Sequence, residues 1–186
     1  MDDFRLTKGI DAWASPDHFV RLRLAAYDAV TDAGIAWALR AQPARPAEVR
    51  IARELHQDIQ AARTVWSAPD TPDDHWPPLV RRLHSLLRIS TLIPALLENG
   101  GGQDLDADLV QALRTAAVMC GGFDRPLTDL EESLRDTSHH DHHDHHHHGR
   151  AADLGLLAAA ARHALTALLL LDKQLLAKIA AQGRRT

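Results

Sequence analysis

Apolar residues recur every three or four positions through most of this 186-residue chain, and no stretch alternates convincingly between apolar and polar. That spacing fits one face of an α-helix and does not fit a strand, whose faces alternate residue by residue. Ala, Leu and Arg, all strong helix formers, dominate, while β-branched and aromatic residues are scarce. The stripes are wide, the connections are short and no fixed-period repeat is present. The expected fold is therefore all-α: a single-domain, mostly antiparallel helical bundle of about five to six helices over residues 1–186.

Local signals place the helices. Ser15-Pro16-Asp17 reads as an N-cap, a first-position proline and a first-turn acid. They open a helix to about Ala41 with Val20, Leu24, Tyr27, Ile35 and Leu39 inward. Arg45-Pro46 begins a second, with Ile51, Leu55, Ile59, Ala62 and Trp66 as its stripe. The acidic, proline-rich segment Ser67 to Pro78 reads as a loop. A third helix follows, with Leu79, Leu83, Leu86, Ser90, Ile93 and Leu97 on one face. Pro94 should kink it, and Asn99 and the glycines Gly100 to Gly102 stop it. The fourth helix, Asp106 to Cys120, carries Leu109, Leu113, Ala116 and Cys120, and Gly121-Gly122 ends it. Thr128 and Glu131 have capping-box spacing for a short helix ending near Thr137. A long Ala-rich helix runs from Arg150 to about Gln182, with Leu157, Ala161, Leu165, Leu168, Leu175 and Ile179 toward the core.

One segment departs from this pattern. His139, His140, Asp141, His142, His143, Asp144, His145, His146, His147 and His148 form an uninterrupted run inside the His/Asp-rich loop 138–149. Each neutral imidazole offers a nitrogen lone pair to Zn²⁺, Ni²⁺, Cu²⁺ or Co²⁺, and the two aspartates add hard oxygen ligands. The run is internal and interrupted, which sets it apart from a purification tag and marks it as a native low-complexity insert. If it continued a flanking helix, His139 and His143, or His142 and His146, would share a face and could chelate one ion. Glu131, Glu132 and Asp136 lie upstream as candidate outer-shell acceptors or as a solvated face. The HHD unit repeats, as codon slippage would make it, so a neutral loop is the competing reading.

In composition the run resembles the His-rich segments of nickel chaperones that mature urease and hydrogenase, and the His-rich loops of zinc transporters. The resemblance covers about ten residues. No GxxxxGK[ST] phosphate loop and no set of membrane spans accompanies it, so no family is assigned.

Other chemistries lack their residues. The single Cys120 excludes an intramolecular disulfide and CxxC metal sites. HExxH, Glu-x-x-His and GxSxG are absent, and no organic cofactor is indicated. A net charge of −4 gives no reason to expect nucleic acid. The start lacks a secretory h-region, and Arg162 and His163 interrupt the longest apolar stretch, so the expectation is a cytoplasmic protein with no membrane span. Outside the tract, His18, His56, His75, His84 and His163 read as boundary histidines, with an inter-helix site using His84 or His163 and a carboxylate as the alternative. The four tryptophans read as core anchors.

Two functions remain. The first is a metal-binding accessory protein (buffer, carrier or metal-responsive switch) with Ni, Zn or Cu as its ion. The second is a non-catalytic interaction or dimerisation module, with a second copy or another protein as partner. An enzyme is the less favoured class.

Overall fold

The computed structural model describes residues 16–68, 76–100, 104–137, 147–182 and 184. Among these there are six helices and no strand: α1 (Pro16–Leu39), α2 (Pro46–Trp66), α3 (Trp76–Asn99), α4 (Ala107–Gly121), α5 (Asp124–Thr137) and α6 (His147–Gln182). The all-α reading holds. The putting-together follows from which ends meet.

Asp58 pairs with Arg88 and Arg82 stacks on Trp66, so α2 and α3 are antiparallel. Tyr27 meets His163 midway along α1, and Lys178 meets Trp37 near its end, so α1 and α6 run parallel. His56 and Gln60 reach Asp172, while the start of α2 lies at the Trp37 end, so α2 opposes α6. Arg40 at the end of α1 meets Asp106 and Asp108 at the start of α4, so the five long helices α1, α2, α3, α4 and α6 alternate in direction and the first and last of them are parallel; α5 is a short helix laid against α3 in the connection between α4 and α6.

α6 touches α1, α2, α3 and α4 and forms the bundle's axis. Ala160, Ala161, Ala164 and Ala167 are buried alongside Leu168, Leu171 and Leu175, so small and large side chains interleave around it. It is the one helix among the described residues long and apolar enough to cross a membrane, a property that core helices share. At Gly34 a Cβ would lie 3.1 Å from Leu171 Cδ1, so the missing side chain lets α1 approach α6 closely.

Several element ends move from their expected places. α1 stops at Leu39, and α3 starts at Trp76, two residues before Pro78. α3 continues through the exposed Pro94 to Asn99. α5 starts four residues before Thr128: its first helical bond runs from Leu127 N–H to the Phe123 carbonyl. Thr128 is therefore no cap, and its hydroxyl donates to the Asp124 carbonyl at 3.1 Å. α6 begins at His147, so the last two tract residues start a helix.

The core residues of α2, α3 and α4 lie as the stripes predict, with Ile51, Leu55, Ile59, Leu79, Leu83, Leu86, Leu109 and Leu113 fully buried. The inward face of α1 differs. Leu24, Ile35 and Leu39 are exposed, Leu39 by 79%, and Val30, Gly34 and Trp37 are buried instead. α1 lies between α6 and α4, and the Gly34 contact with α6 sets its rotation.

A polar clasp closes one end of the bundle. Glu48, 2% exposed, accepts from Asp106 N–H (3.0 Å) and Trp37 Nε1–H (3.4 Å) through one oxygen, and from Arg45 N–H (2.9 Å) through the other. Asp106 caps α4 by accepting from Asp108 N–H, and its other oxygen holds Arg40 at 2.8 Å. Lys178 Nζ donates to the Trp37 carbonyl at 2.9 Å and lies 4.0 Å from the Trp37 ring centroid. A cation at a helix C-terminus and over an indole face is favourable on both counts.

Candidate functional site

Of the sequence-assigned metal ligands, His139, His140, Asp141, His142, His143, Asp144, His145 and His146 lie outside the described residues. His147 and His148 belong to the first turn of α6. The elements on either side are fixed to the core. α5 buries Leu127 and Leu130, and α6 buries Leu154 and Leu157 within its first three turns. Among the described residues no group of three or more His, Cys, Asp or Glu side chains converges as a metal centre.

Outside the tract, His75 and the side chain of His18 lie outside the described residues, whereas His56, His84 and His163 find partners. His84 on α3 reaches Glu131 on α5, Nε2 to Oε1, at 2.7 Å, with the side chains 57% and 34% exposed. This is the inter-helix His–carboxylate pair anticipated for His84. It also gives Glu131 a partner on α3. His163 sets its ring edge-on to Tyr27, with centroids 6.2 Å apart.

His84 lines a shallow groove of about 380 Å³ between α2 and α3. Ala61, Ala62 and Val65 form its apolar side, and Arg81, Ser85 and Arg88 share the α3 side with His84. Asp58 accepts from Arg88 Nε at 2.6 Å. Positions 81, 84 and 88 fall on one helical face, so Arg81 and Arg88 give the groove a cationic edge, and Asp58 pairs with Arg88.

A second unit joins α2 to α6. Asp172 is 4% exposed, and both its oxygens lie 2.9 Å from His56 Nδ1, while Gln60 Nε2 donates to Oδ2 at 3.1 Å. A buried carboxylate needs such partners. With Nδ1 facing Asp172, the histidine ring is oriented as in a carboxylate–histidine pair. No third His, Cys, Asp or Glu joins it as a metal group among the described residues. Its geometry fits a tie between helices.

Asp129 on α5 is 8% exposed, and its Oδ2 finds no partner among the described residues. Burial pushes its carboxyl above the usual value, Arg125 pulls against this, and Glu132 adds to it.

Sequence reasoning did not single out Glu48, Lys178, Asp172 or Asp129. Asp172 and Lys178 carried a signal: each is a charge inside the apolar run of the last helix, where burial demands a partner. No family model matches the chain, and no curated protein or solved structure matches it.

Proposed function

We propose that this chain is a cytoplasmic metal-binding accessory protein, a buffer, carrier or metal-responsive switch, in which residues 139–148 take up a divalent transition ion. Eight imidazoles and two carboxylates in ten consecutive positions carry the proposal. Imidazole with carboxylate suits Ni²⁺, Cu²⁺ and Zn²⁺, and the general affinity order favours Cu²⁺ in vitro. The attachment of both flanking helices to one core supports a switch, because closing the segment on an ion would constrain α5 against α6. Metal is the only partner this reading requires.

Calorimetric titration of Ni²⁺ and Zn²⁺ into the wild type, and into a variant with a Gly/Ser linker replacing residues 139–148, tests it. Micromolar or tighter binding in the wild type, lost in the variant and weakened as pH falls, is the expected result. The variant should keep its helical circular dichroism, since the buried stripes lie elsewhere. Equal binding by both proteins would overturn the assignment.

One observation favours the interaction-module reading. Leu24, Ile35 and Leu39 are exposed along α1, with Ile35 and Leu39 one turn apart. Apolar side chains exposed together mark protein contacts. Under that reading the tract is a neutral loop, and sedimentation of the linker variant would show the wild-type oligomeric state.

A further inference from the structure

We infer that His84 and Glu131 form a second, weaker transition-metal site that bridges α3 and α5. The inference shares the metal chemistry of the proposed function but none of its residues, so the two can fail separately.

The bite distance carries the argument. His84 Nε2 and Glu131 Oε1 are 2.7 Å apart. Two ligands each about 2.1 Å from an ion sit about 3.0 Å apart at a right angle and about 3.4 Å apart at the tetrahedral angle. The pair must open by about 0.3 Å for adjacent positions of a tetragonal ion, and by about 0.7 Å for a tetrahedral one. The site therefore fits Cu²⁺ and Ni²⁺ better than Zn²⁺.

The surroundings are compatible with this role. Both side chains are partly exposed, so water can fill the remaining coordination positions. A metal at Nε2 displaces the proton that bonds it to Oε1, which moves to Nδ1 of a neutral ring or leaves an imidazolium for solvent. Two guanidiniums lie near, on the neighbouring turns of α3. Asp58 neutralises Arg88 at 2.6 Å. Arg81 remains to oppose a dication, and the Glu131 carboxylate offsets it. With two protein ligands the site is weaker than the tract and becomes visible when the tract is silenced.

The test uses the full chain with the eight tract histidines changed to asparagine. Cu²⁺ is titrated while amide broadening is followed by NMR, since paramagnetic Cu²⁺ broadens only nearby amides. Broadening centred on residues 81–88 and 128–134 is expected, with an electron-spin signal from a single nitrogen ligand. In that background Glu131→Gln should weaken Cu²⁺ binding about tenfold or more, and His84→Asn likewise, with circular dichroism unchanged. Broadening centred on His56 or His163, no localised broadening, or an unaltered affinity in Glu131→Gln would overturn the inference.

Discussion

Removing the Glu48 carboxylate should destabilise the bundle far more than removing any exposed acid. Its oxygens accept from three N–H groups. Arg45 is exposed, so its amide can turn to water. Asp106 N–H and Trp37 Nε1–H cannot, because both residues are buried. Each stranded buried donor costs about 1–3 kcal/mol. The 3.4 Å indole bond belongs at the low end of that range and the 3.0 Å amide bond nearer the middle. Glu48→Ala should therefore cost about 3 kcal/mol, before any cost of the cavity. In a domain of this length that corresponds to a fall in Tm of about 6–12 °C. Glu48→Gln keeps one acceptor oxygen for the two buried donors and presents its amide to the exposed Arg45 N–H, so it should cost about 1 kcal/mol. Glu54→Ala, on an exposed position of the same helix, is the control and should stay within about 0.5 kcal/mol. Urea unfolding followed by circular dichroism measures all three. Glu48→Ala indistinguishable from Glu54→Ala would refute the reasoning, because the clasp would then be open to water.

Further expectations concern the other polar and apolar positions. The Asp129 carboxyl is raised by burial, so the folded state holds its proton more tightly and the favourable contribution present at low pH is lost as pH rises through the raised value. Asp129→Asn should raise Tm near neutral pH and leave it unchanged near pH 3, where scanning calorimetry would show the difference vanish. His56→Ala leaves the nine-tenths-buried Asp172 with only Gln60, whereas Asp172→Leu frees two side chains that reach water; denaturant unfolding should find the first variant clearly the less stable, and the reverse order would contradict the pairing. Leu168→Ala should cost about 2–5 kcal/mol by the same assay, and Leu39→Ser under about 0.5 kcal/mol, since the first is fully buried and the second largely exposed.

The α2 stripe shows what was legible in the sequence. Ile51, Leu55, Ile59 and Ala62 are buried in the expected phase because one apolar face meets one set of neighbours. α1 shows what was not. Its apolar residues cover more than one face, and the phase is decided by the close approach at Gly34, a residue without a side chain to signal it. The start of α5 was misplaced for a different reason. Thr128 and Glu131 have capping-box spacing, yet Phe123, Asp124 and Pro126 already supply an N-terminus four residues earlier. The pairs His56–Asp172 and His84–Glu131 join residues 116 and 47 positions apart, and local periodicity carries no information at that range. The tract was evident from composition, and its chemistry follows from ligand density without any fold.

Amide hydrogen exchange with and without saturating Ni²⁺ tests most directly whether metal at the tract acts on the bundle. A ligand shifts a conformational equilibrium only if it binds one state better than the other. The account predicts slower exchange through residues 130–157, reaching back into α5 and forward along the first turns of α6. Slowing confined to residues 138–149, or no slowing at all, would contradict it.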